Sequence, residues 1–165
     1  MHQTIGELVG LIALLLCIAA FASKDDDRLL TILIAANVAF AVQFAAFGAF
    51  VASAISAVII LRIVLARRFP GSRTATGAIL VLTAAVAALT WSSPIDIFPL
   101  TAGLIGTYAM FMLRGIPMRL GLAAAATCWA ITNFLAGSMG ALAAETLVLA
   151  TNVVTIVRLA REKPA

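Results

Sequence analysis

The sequence is poor in almost everything that enzymatic chemistry needs. Its 165 residues include one histidine, His2, and two cysteines, Cys17 and Cys128. A single histidine near the start of the chain leaves no Ser-His-Asp or Cys-His set, no metal-ligand cluster occurs, and no glycine-rich phosphate loop is present. The chain is therefore expected not to be an enzyme and to hold neither metal nor cofactor. Each cysteine lies alone in an apolar run. That predicts small apolar fillers rather than a disulfide framework or a zinc site.

Charge is scarce as well. Only 11% of residues are charged and 64% are hydrophobic, whereas a soluble domain carries about a quarter charged residues. The mean hydropathy of +1.14 fits an integral membrane protein with no separate soluble domain. A net charge of +4 on a soluble protein would suggest nucleic acid. Here the basic residues stand at the ends of apolar segments, so they read as topology signals and no nucleic-acid partner is expected.

Seven apolar segments are present, at 5–22, 29–47, 49–66, 75–91, 97–113, 120–136 and 141–159. Continuous runs rich in Ala, Leu and Ile, without alternation, predict transmembrane helices rather than barrel strands. The run from Leu29 to Ala66 carries no charge before Arg62. As one helix it would be roughly 57 Å long, nearly twice the hydrocarbon thickness. It must fold back, and Gly48 marks the turn. The same argument splits 120–159, with the turn at Ala136-Gly137-Ser138-Met139-Gly140.

With seven spans, all eleven Lys and Arg residues fall on one face. That face is cytoplasmic by the positive-inside rule, so the N-terminus is outside and the C-terminus inside. Ala20-Phe21-Ala22 has the small-x-small form of a signal-peptidase site, but Met1 to Glu7 lacks Lys and Arg and contains an acid, so cleavage is not expected. Asp25, Asp26 and Asp27 read as a solvated cytoplasmic loop.

The halves match at offsets of 89 to 93 residues: Glu7 with Asp96, Gly10-Leu11-Ile12 with Gly103-Leu104-Ile105, Arg28 with Arg119, Gln43-Phe44 with Asn133-Phe134, and Gly48 with Gly140. This predicts an all-α integral membrane protein whose seven transmembrane helices form two parallel three-helix repeats joined by a linker helix. The domains are a first repeat at 1–68, a linker helix at 69–93, and a second repeat with a short cytoplasmic tail at 94–165.

Polar groups inside such helices are costly and mark function or interhelical contact. Asn152 and Glu145 lie seven residues apart on one helix face, about 10 Å along the axis. They are the leading candidates for a solute site, Asn152 near the midplane and Glu145 toward the outer side, where it could take up a proton or meet a cation. Trp129 and Asn37 are further candidates. Secondary candidates are Asn133 and Gln43, beside the outer turns, and Ser56. Arg62 and Arg158 are explained by snorkelling. Gly103, Gly106 and Gly115 read either as flexible points or as close helix packing. Gly6 and Gly10 form a GxxxG motif, which points to a homodimer.

The three-one-three plan resembles the SWEET sugar facilitators and their half-sized bacterial relatives. The last third more closely resembles bacterial inner-membrane proteins of the YgjV type. The resemblance rests on Trp129, Asn133-Phe134, Ala136-Gly137-Ser138, Gly140, Glu145, Asn152 and Arg158, with Phe44, Gly48 and Arg62 in the first half. It implies a place in the bacterial inner membrane and, through the facilitators, a midplane site between the repeats for a small solute. The facilitators' Pro-Gln pair is missing from the first helix, and Ile59 stands where a partner for Asn152 would be, so a site here is less polar than a sugar site. The expected partners are the lipid bilayer, a small polar solute and a proton or cation. The alternative is a non-transporting structural, assembly or sensor protein.

Overall fold

The structure, a computed structural model, describes residues 2–46, 50–91, 93–135 and 139–162, with side chains at 8–43, 58–89, 91, 93–132, 134–135 and 142–162. Among the described residues there are seven α-helices and no strand: α1 (His2–Ala22), α2 (Asp26–Ala46), α3 (Phe50–Arg68), α4 (Arg73–Thr90), α5 (Ile97–Met112), α6 (Ile116–Leu135) and α7 (Met139–Glu162), with a 3-10 turn at Pro94–Asp96 before α5. The expected turns at Gly48 and at 136–138 lie outside the described residues. The helices that flank them end and restart where the length argument requires.

Local chemistry sets the starts. Asp25 accepts from the Arg28 amide (2.6 Å), and Asp26 and Asp27 stand in the first turn of α2, where the helix dipole favours negative charge. The acidic run is thus a helix start rather than a loop. Among the described residues no group of three His, Cys, Asp or Glu could hold a metal ion. Ser72 caps α4 by accepting from the Ala75 amide (3.2 Å). Ser93 and Asp96 form a capping box around the 3-10 turn. Helix α6 begins at Ile116, four residues before the expected start, because Gly115 takes φ +65° and Pro117 suits a first turn. Arg119, counted as a loop residue from the sequence, is therefore inside the helix.

The chain divides into two compact units, Met1–Arg68 and Phe69–Ala165. In the first, α2 packs against both α1 and α3. The α1–α2 pair is antiparallel and close at Gly10, where any Cβ would overlap the Gln43 amide. Gly10 is thus used within the chain, where the Gln43 side chain fills its notch. At the other end of α2, Asp27 forms a two-point ion pair with Arg67 of α3 (3.0 and 2.9 Å). Buried Leu29, Leu30, Leu33, Ala36, Ile63 and Ala66 contribute to the core of this unit.

In the second unit, α4 packs on α5, α5 on α6, and α6 on α7. Here too the contacts are small-residue contacts. A Cβ on Gly103 would lie 2.9 Å from the Thr83 methyl, and one on Gly121 would lie 2.6 Å from the Ala109 Cβ. Gly103 therefore acts through close packing, the second of its two expected readings. The loop before α4 is tied to the end of α5 by Gly71, whose φ is +75° and whose amide donates to the Phe111 carbonyl (2.8 Å). Gly10 and Gly103, paired in the sequence comparison, face different neighbours: the second helix of its unit in one case, α4 in the other.

Large apolar side chains are widely exposed, Val81 by 70% and Leu89 by 87%. Pro94–Met112 and Leu142–Glu162 are long and apolar enough to cross a membrane, and Leu8–Ala22, Arg73–Leu89 and Ile116–Thr132 are shorter apolar helices. In lipid such exposure carries no hydrophobic cost, because the tails are as apolar as the side chains.

Candidate functional site

The last helix presents a narrow inward face. Val148, Asn152 and Thr155 are buried, while Leu147, Val153, Val154 and Val157 are exposed. Positions 145, 148, 152 and 155 recur at the spacing of one helix face. Glu145 lies on that face, half-buried, and makes no hydrogen bond or ion pair among the described residues.

Asn152 is only 1% exposed, and its Nδ2 donates to the Arg119 carbonyl of α6 (2.9 Å). Arg119 is itself fully buried. A helical carbonyl has a second lone pair beyond the one used in its own ladder, so α6 can accept this bond without breaking a turn. The bond also fixes register. Arg119 stands in the first turn of α6, and Asn152 is thirteen residues into α7, about 20 Å along the axis from its start. Its Oδ1 is buried with no hydrogen-bond partner among the described residues.

The hydroxyls along α7 are already committed. Thr155 donates to the Thr151 carbonyl (3.0 Å) and Thr151 to the Leu147 carbonyl (2.8 Å). These bonds run back along their own helix. The Asn152 carbonyl oxygen thus remains an unused acceptor on this face.

The other candidates are dispersed. Asn37 is half-buried and donates to the Leu33 carbonyl of its own helix (2.8 Å). Trp129 is 41% exposed, although it falls on the same face of α6 as the buried Met118, Leu122 and Ala125. Gln43 packs against Gly10 of α1. The side chains of Asn133 and Ser56 lie outside the described residues. Sequence reasoning missed Arg119. Arg119 was concealed by the rule that assigns basic residues to loops, although Pro117 beside it is a helix-start signal. On α3, Arg62 is half-buried, with its Nε enclosed and without a hydrogen-bond partner among the described residues, so snorkelling does not describe it fully. Arg158 is exposed, in keeping with snorkelling.

An all-helical chain with apolar outer surfaces and a few enclosed polar groups is of the membrane-protein class. The chain belongs to the Imp-YgjV family, bacterial inner membrane proteins, whose sequence profile matches residues 4–163. It is 29% identical over 150 residues to the inner membrane protein YgjV of Escherichia coli (strain K12), covering 91% of this chain and 81% of that protein. No solved structure matches the chain.

Proposed function

We propose that the protein spans the inner membrane seven times, N-terminus outside and C-terminus cytoplasmic, and acts as a facilitator for a small polar solute that passes along the inward face of α7. The observation that carries this reading is the Asn152 Oδ1, a buried acceptor without a partner among the described residues. Such a group costs roughly 1–3 kcal/mol, and a passing donor such as a hydroxyl, an amide or a water would satisfy it. Glu145, about 10 Å further out on the same face, supplies a carboxylate that can carry a proton or meet a cation. The loose sequence repeat and the likeness to three-one-three facilitators support the same plan by analogy. The placement of all eleven basic residues on one face supports the orientation.

A second reading, a non-transporting assembly or scaffold protein, is favoured by the Asn152 bond to the Arg119 carbonyl. There the amide serves as interhelical glue, worth about 0.6 kcal/mol on average. Proteoliposomes loaded with a panel of small polar solutes separate the two. The facilitator reading expects uptake of at least one solute that Asn152→Leu abolishes while the protein stays folded. No uptake of any solute, or uptake indifferent to Asn152→Leu, supports the scaffold.

A further inference from the structure

A second feature lies on the first unit, which does not include Asn152. At the end of α2–α3 that carries the Asp27–Arg67 pair, Ile34, Val64, Arg67 and Arg68 line a shallow, open groove. Its two ends differ in chemistry. Arg67 gives Nε and Nη2 to Asp27, which leaves Nη1 without a partner among the described residues. Arg68 is exposed and makes no hydrogen bond or ion pair among them. Further along the same two helices, beyond the groove itself, apolar side chains are exposed. Ile34, Val38 and Val42 recur every four residues on α2, with Val38 and Val42 exposed, and Leu61 and Val64 are exposed on α3. The apolar stripe of α2 runs about 12 Å from the arginines.

We propose that this groove binds an anionic phospholipid, its phosphate on Arg68 and the free side of Arg67 and an acyl chain along the apolar stripe. Charge complementarity selects the headgroup. Two adjacent guanidinium groups offer several donors to phosphate oxygens, and Asp27 holds one of them in place. Ile34 and Val64 in the groove, with exposed Val38, Val42 and Leu61 beyond it on the same helices, select a lipid over a soluble phosphate, because only a lipid covers both parts at once. The inference needs the membrane setting of the family and holds whether or not a solute moves along α7.

The full chain is purified in a neutral detergent and titrated with dioleoyl phosphatidylglycerol or dioleoyl phosphatidylcholine, and native mass spectrometry counts the lipid retained. Phosphatidylglycerol is expected to be retained in preference. Arg68→Gln is expected to weaken its retention about fivefold, the effect of one basic residue at an anionic headgroup. Ile34→Trp, which fills the groove, also weakens it, whereas Arg161→Gln, outside the groove, leaves it unchanged. Equal retention of the two lipids overturns the proposal. So does displacement by inorganic phosphate, a loss in Arg161→Gln as large as in Arg68→Gln, or undiminished binding by both groove variants.

Discussion

Asn152→Leu is the substitution on which the two readings of α7 differ most. The wild-type side chain makes one cross-helix hydrogen bond (2.9 Å) and encloses one acceptor without a partner among the described residues. Leucine removes both. Losing the hydrogen bond costs about 0.6 kcal/mol on average, and at most about 1.7. Removing the enclosed carbonyl oxygen returns roughly 1–3 kcal/mol. Leucine branches at the same carbon as asparagine but is slightly larger, and that crowding takes back part of the gain. The net expectation is a variant as stable as the wild type, or up to about 1 kcal/mol more stable. Reversible unfolding in mixed micelles, followed by circular dichroism and tryptophan fluorescence, measures it. A destabilisation beyond about 2 kcal/mol would mean that Oδ1 is satisfied in the folded protein and that Asn152 is structural. A stable variant without solute flux is the signature of a residue retained for function at some cost to the fold.

Other substitutions probe single contacts. Glu145→Gln replaces a half-buried carboxylate that has no partner among the described residues; stability at neutral pH is expected to hold or rise, and a fall of more than about 1 kcal/mol in the same unfolding assay would reveal an unrecognised ion pair. Gly121→Ala places a Cβ 2.6 Å from the Ala109 Cβ and is expected to cost about 1–3 kcal/mol. Gly77→Ala meets nothing within 4 Å and is expected to be neutral or stabilising by up to about 1 kcal/mol, so equal effects of the two would contradict the packing of α5 on α6. Asp27→Asn breaks the pair with Arg67, whose side chains are 72% and 32% exposed; a loss below about 1 kcal/mol that shrinks with added salt is expected, and double-mutant cycles check it.

The helices were legible in the sequence because lipid imposes a simple rule: an apolar run has a maximum useful length, and an overlong one must turn. That argument alone separated α2 from α3 and α6 from α7. It placed the other boundaries within a few residues, apart from the start of α6. There the charge of Arg119 suggested a loop, while Gly115 and Pro117 already marked a helix start. The candidate site was less legible. Counting along α7 correctly puts Asn152 and Glu145 on one face, since that follows from 3.6 residues per turn. It cannot say which residue of α6 stands opposite, and that residue is Arg119, whose carbonyl accepts from Asn152. Asn37 and Asn152 look alike in sequence as amides within apolar helices. Only packing separates the one that bonds its own helix from the one that crosses to a neighbour. The GxxxG of α1 shows the same limit, because a small residue admits any close neighbour, and for Gly10 that neighbour is Gln43.

The central claim is that polar solute reaches the inward face of α7, and solvent access to that face tests it most directly. Single cysteines are introduced by Asn152→Cys and Val154→Cys in a chain whose Cys17 and Cys128 are replaced by alanine. Each is exposed, in sealed inverted and right-side-out vesicles, to a small charged methanethiosulfonate reagent. The account predicts labelling at position 152, slowed by any solute the protein conducts, and none at position 154 on the lipid-facing side. Protection at position 152 equal to that at 154, from both sides of the membrane, would contradict it.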